Sequence, residues 1–190
     1  MAVKSGSGAA TASGVGYQNR VAAYLFATAL AGVQLPALGE HILSIGFETA
    51  EKIDDLNVQL VGGPAYFQVK RKLTYSTAAK STLRDVLAQF TLQFESCKET
   101  PSKFFLITTS DSSRKITGVL NATLDAFRQG PEEEFRRDQP KESVEVLDEL
   151  LELISTLISS SDPASKQTVA RQILRKSHVW ELDIEENSSL

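Results

Sequence analysis

The sequence predicts an α/β fold: a mixed sheet flanked by helices, with an acidic helical extension toward the C-terminus. Three observations carry that prediction. The hydrophobic periodicity runs helix, three strands, helix, strand, helices, strand. One pair of those strands separates an apolar face from a polar face along its whole length. The 190 residues are 42% hydrophobic and 23% charged, the balance of an ordinary globular chain that buries a core without staples. The single cysteine, Cys97, excludes an intrachain disulfide and a cysteine-based zinc site. His41 and His178 are too few for a histidine cluster. Net charge is −4 with a pI near 5.3, which argues against a protein that coats nucleic acid. The charge is uneven: residues 1–115 carry +3 and residues 116–190 carry −7, so only the first part suits an anionic partner.

Residues 1–14 are small and polar and read as a flexible arm; their glycines lack the Gly-Lys-Ser/Thr ending of a phosphate loop. Residues 15–190 form a single domain, with a core over about 15–128 and a helical extension plus last strand over about 140–185. From Gly16 to Ala31 a helix follows from Tyr17, Val21, Tyr24, Leu25 and Thr28 at three- and four-residue steps. The apolar run Val21–Val33 is 13 residues long, short of the roughly 20 that cross a bilayer. It also mimics a signal peptide, but its place on a core helix favours a cytoplasmic protein. Strands are expected over His41–Thr49, Asp55–Val61 and Ala65–Arg71. A long helix is expected over 77–99, with Leu83, Leu87, Phe90, Phe94 and Cys97 as its apolar stripe. Ser102–Thr109 reads as a buried strand. Helices follow over about 115–128, 142–159 and 164–176, the last opened by Asp162-Pro163. Val179–Ile184 alternates like a final strand, and core packing is expected of His178, Trp180 and Cys97. The Leu147, Leu150, Ile154 and Leu157 seam suits packing within the chain, or self-association.

The second and third strands are joined by a turn signal, Gly62-Gly63-Pro64. Because Pro64 has no N–H to close a tight turn, a four-residue loop over 61–64 is expected. Asp55 then lies opposite Lys70, Asn57 opposite Gln68 and Gln59 opposite Tyr66, all on one face. Leu56, Val58, Leu60, Ala65, Phe67 and Val69 make up the other, wholly apolar face. An aspartate and an amide oxygen can hold a hard cation such as Mg²⁺ or Mn²⁺. A lysine two residues beyond the amide sits beside them. It can assist a water attacking a phosphodiester and offset the developing charge. Asp55, Gln68 and Lys70 are therefore the candidate site, with Asp54 as the ligand instead if the register differs. Glu51 is a weaker candidate in the preceding loop. Arg71 and Lys72, with Lys80 and Arg84 on the next helix, are candidate phosphate contacts.

The succession GYQNRVAAYL, GFETAEKIDDLNVQL and YFQVKRK resembles the PD-(D/E)XK nuclease superfamily. It is similar to the double-strand DNA endonuclease domains at the N-terminus of bacterial antiphage effectors, linked to cyclic-oligonucleotide signalling or to STAND-type sensor ATPases. The resemblance covers about residues 14–110. It implies a restriction-endonuclease-like sheet, with Asp55 as a metal ligand, Gln68 in place of the usual acidic ligand, and Lys70 as the catalytic lysine. It also implies that Gln18 on the first helix joins the site and that Glu48 is a further metal ligand. The expected activity is Mg²⁺- or Mn²⁺-dependent hydrolysis of double-stranded DNA with little sequence selectivity, in bacterial antiphage defence. The expected partners are DNA, further copies of the chain, and a sensor or ATPase domain on a longer chain or a separate one, with no membrane. A degenerate nuclease fold that binds a partner or nucleic acid without cutting is the alternative.

Overall fold

A computed structural model describes residues 7–184 apart from 48–50, 54 and 99, with only the backbone for 7–13. The chain is a mixed α/β fold. Helix α1 (Ser7–Leu30) leads to β1 (Gln34–Leu35), β2 (Glu40–Phe47), β3 (Leu56–Leu60) and β4 (Gly63–Val69). Helix α2 (Thr82–Ser96) and strand β5 (Lys103–Thr108) follow. A π-helical turn over Lys115–Leu120 then runs straight into α3 (Asn121–Gln129). The chain continues through α4 (Glu132–Asp138), α5 (Lys141–Leu157) and α6 (Pro163–Lys176) to β6 (Ser177–Glu181). The six strands lie side by side in chain order, antiparallel from β1 to β4 and parallel from β4 to β6. Each parallel step needs a crossover, and the helices supply both.

The two faces of the sheet are covered differently. Tyr17, Val21 and Leu25 of α1 form one cluster with Val58, Phe67, Phe105 and Ile107. On the opposite face Tyr66, Phe104, Leu106 and Val179 join side chains from α2 through α6. Alternation along each strand sends successive residues to opposite layers, as with Phe104 and Phe105. Leu147, Leu150 and Ile154 are fully buried in that second layer, so the seam closes the core instead of meeting another copy. Trp180 packs edge-on against Tyr24, with ring centroids 5.9 Å apart.

Several boundaries depart from expectation. Helix α1 begins at Ser7, inside the stretch read as an arm, because Ala9, Ala10 and Ala12 are strong helix formers. Helix α2 begins at Thr82, not near 77. Ser81 caps it by accepting a hydrogen bond from the Arg84 N–H, and its own hydroxyl donates to the Ser76 carbonyl at 2.6 Å. The two-residue β1 and the seven-residue α4 are too short to leave a periodic signature. The last strand starts at Ser177, two residues early.

The hairpin register differs as well. Leu56 pairs with Phe67, Val58 with Ala65 and Leu60 with Gly63. The loop is therefore Val61-Gly62, and it closes at Gly63, one rung before Pro64, so the missing proline N–H is no obstacle. Gly63 has φ +122°, and a Cβ there would lie 2.8 Å from the Pro101 carbonyl oxygen; only glycine fits. The shift is two residues, which preserves the face of every side chain. It brings Asp55 level with Gln68, not Lys70.

His178 lies flat on Phe105, with ring centroids 4.4 Å apart. Burial, then the nearby Arg128 and Lys103 charges, push its pKa down to about 3. The native state thus holds the neutral ring, while the unfolded chain takes up a proton below pH ~6.5. Stability from this residue is complete above that pH. It declines toward pH 3, at up to ~1.4 kcal/mol per pH unit. Acid denaturation followed by Tm should show a shallower acid limb for His178→Phe, which keeps the stack without the titration.

Candidate functional site

The start of β3 meets the end of β4, because the two strands run antiparallel. Asp55, just before β3, is thereby set beside Gln68, Val69 and Lys70. The Asp55 Oδ2 accepts hydrogen bonds from Gln68 Nε2 and, at 2.8 Å, from the Val69 backbone N–H. Lys70 Nζ lies 3.7 Å from the same oxygen. Oδ1 accepts from Gln18 Nε2 at 3.3 Å. The side chains of Gln18, Gln68 and Lys70 therefore converge on the Asp55 carboxylate. Helix α1 brings Gln18 over the end of the β3–β4 pair one residue after the fully buried Tyr17, whose hydroxyl donates to the Leu182 carbonyl at 2.9 Å.

The site is graded from dry to wet. Gln68 is 1% exposed, whereas the Lys70 side chain is 34% exposed. The polar face of the hairpin is thus not open along its length: Gln68 and Tyr66 are covered, and Gln59 remains in water. The Gln68 carbonyl oxygen Oε1 is buried and meets no hydrogen-bond donor. A buried acceptor in that state costs about 1–3 kcal/mol, and native structures seldom tolerate it without a reason.

Glu48 and Asp54 lie outside the described residues. The chain neighbour of Glu48, Phe47, pairs with Leu56 next to Asp55. Among the described residues no three His, Cys, Asp or Glu side chains gather in one place. The donors present are one carboxylate and the amide oxygens of Gln68 and Gln18. That set fits a hard cation that keeps most of its water, as Mg²⁺ does. Turning the Gln68 amide by half a rotation would put its oxygen against Asp55 Oδ2, an arrangement that a cation between them would favour.

The expected phosphate contacts do not all gather here. Lys72 is exposed close to the site, and the Arg71 carbonyl is held by the Thr109 N–H and hydroxyl, the latter at 2.8 Å. Lys80 precedes α2 instead of lying on it. Arg84 lines a cleft of about 260 Å³ with Glu149 and Glu152 of α5, acids that would repel a phosphate. Lys115 is likewise 3.8 Å from Glu149. The expected pairing of Lys80 and Arg84 along one helix face thus gives way to the Ser81 cap and the acidic face of α5.

No protein-family model, curated protein or solved structure matches this chain.

Gln93 was not foreseen. It sits on α2 between Phe90 and Phe94 and is 1% exposed. Its Oε1 accepts from the Lys52 N–H at 2.9 Å and the Ile53 N–H at 3.3 Å, and its Nε2 donates to Glu51 at 2.9 Å. Glu51 thus anchors the loop that leads to Asp55 and does not enter the site. An amide in register with an apolar stripe is the signal that marks it. Gln93→Leu should cost about 1–3 kcal/mol in urea denaturation, because it leaves the buried Ile53 N–H without an acceptor.

Thr109, Ser112 and Ser113 also escaped notice. Ser112 Oγ accepts from Leu73 N at 2.8 Å and Ser113 Oγ from Tyr75 N at 3.1 Å. The hydroxyl-rich run after β5 thereby ties down the segment that follows Lys70.

Proposed function

We propose that the chain is a metal-dependent endonuclease of the PD-(D/E)XK type, acting on double-stranded DNA. One observation carries this reading. Asp55, Gln68 and Lys70 converge at the junction of two strands, with Gln18 added from α1 and a buried Gln68 oxygen lacking a donor. Asp55, Gln68 and Glu48 would hold the cation, which would polarise the phosphate and acidify a bound water. The protein's own groups supply the rest. Lys70 directs N–H donors at the attacking water or a non-bridging phosphate oxygen and offsets the charge that builds there. Gln18 and the Val69 N–H keep the Asp55 carboxylate oriented. The only cations proposed for DNA contact are those beside the site, Arg71 and Lys72, which suits weak, sequence-tolerant binding.

One observation favours a second reading. The Asp55 carboxylate already has protein donors on both oxygens, as a binding module without catalysis would allow. Supercoiled plasmid separates the two. Relaxed and linear products with Mg²⁺ or Mn²⁺, suppressed by EDTA, are expected of the nuclease; intact plasmid at high protein concentration favours the module. Gln68→Glu provides a readout independent of cutting. Two neighbouring carboxylates should lower Tm without metal, and Mg²⁺ should restore it more than in the wild type.

A further inference from the structure

We propose that the outer edge of β2 and the adjoining flank of α1 form the seam of a two-fold homodimer. Strand β1 pairs only with Glu40 and His41. From Ile42 to Phe47 the outer edge of β2 has no strand partner among the described residues. An unpaired edge is a template for another chain, and proteins usually blunt it with lysine, proline or a buried charge. None of these occurs between His41 and Phe47 (HILSIGF). The irregularity between Ile42 and Ser44 blunts the start of the edge as a bulge does, and leaves Ser44–Phe47 as the open, regular stretch.

The helix beside this edge is mostly apolar on its outer flank, with the exposed Asn19 as the polar residue between Val15 and Phe26. Val15 and Phe26 are eleven residues apart, three helical turns, and Leu30 is one turn further. Phe26 stacks on Phe47 with ring centroids 5.2 Å apart, so helix flank and strand edge form one surface. Val15, Phe26, Leu30, Val33, Leu43 and Phe47 are 39–87% exposed. Together they leave on the order of 500 Å² of apolar surface in water, near the upper end for a monomer. With the strand's main chain added, this approaches the roughly 800 Å² that each partner of a stable dimer buries.

The surface suits a second copy of the chain. Antiparallel pairing of identical edges about a two-fold axis at Ile45 sets Ile45 opposite its own copy and Ser44 opposite Gly46, residues that share a face. No charge meets a like charge, and the main-chain groups that point away from β3 find complementary ones. The same axis puts both α1 flanks on one side of a continuous sheet. It also sets the two Asp55 sites on one face, roughly 20–30 Å apart at 3.3 Å per residue and 4.8 Å per strand. The seam stands without the nuclease reading; only the pairing of sites on one duplex rests on it.

Light scattering after size exclusion tests the seam without reference to activity. The full chain at micromolar concentration should run at about twice its 20.7 kDa mass. Leu30→Glu and Leu43→Lys should each weaken the dimer by about tenfold or more, with unchanged circular dichroism and Tm. Leu92→Lys, on exposed α2 in the other layer, should leave the dimer intact. A monomeric wild type, a dimer indifferent to both edge variants, or equal sensitivity to Leu92→Lys would each overturn the proposal.

Discussion

Lys70→Ala should lower metal-dependent plasmid cleavage by about 10²- to 10⁴-fold while leaving the fold in place. The asymmetry follows from the geometry. For stability, Lys70 contributes a half-exposed ion pair at 3.7 Å, worth about 0–1 kcal/mol at most. The Asp55 carboxylate it leaves behind still accepts from Gln18, Gln68 and the Val69 N–H, so no buried charge is stranded. For catalysis, Lys70 is the lysine that the end of β4 sets beside Asp55. Lys70→Arg should recover only part of the rate, because the planar guanidinium keeps the charge but not the compact donor. Matched Tm values and cleavage time courses for the three proteins decide the matter. Equal products from wild type and Lys70→Ala would remove the lysine from the mechanism.

Phe67→Ala should cost about 3–5 kcal/mol, a large share of the 5–15 kcal/mol typical of a whole domain. Phe67 is fully buried in a central strand. It stacks on Phe105 at 4.9 Å and tilts against Trp180 at 6.4 Å. Its removal leaves a void under α1, between the strand that carries Gln68 and the helix that carries Gln18. Urea denaturation should show a lower midpoint with an unchanged slope. A loss under ~1 kcal/mol would mean that the α1 layer can collapse onto the sheet, contrary to close packing. If Phe67→Leu retains most of the stability, the loss is one of volume and not of ring stacking.

The fold was legible where periodicity is long and strong. The stripe Leu83, Leu87, Phe90 and Phe94 places α2 on the core, and Asp162-Pro163 starts α6 one residue from where it was read. Faces of the hairpin were legible too, since a two-residue error in register leaves the period of two untouched. The register itself was not, because it depended on which residue closes the turn. That was settled by the Gly63 φ and by the approach of Pro101 from a distant segment. The start of α2 turned on a single cap, Ser81, whose hydroxyl reaches Ser76.

Asp55, Gln68 and Lys70 share a strand pair, so their proximity follows from alternation and the sequence near the turn. Gln18 was named only through the resemblance, and Gln93 and the Thr109–Ser113 run not at all. Each of these reaches its partner across 37 to 42 positions of chain, or close to it. Local pattern specifies which residues face a layer, because helix and strand periods are properties of the backbone. It cannot specify which segments meet, because that depends on how two apolar layers share one sheet. The α/β class, the dry and polar faces and the central triad come from the former. The anchoring of the Asp55 loop, the acids that line the cleft beside Arg84, and the open edge of β2 come from the latter.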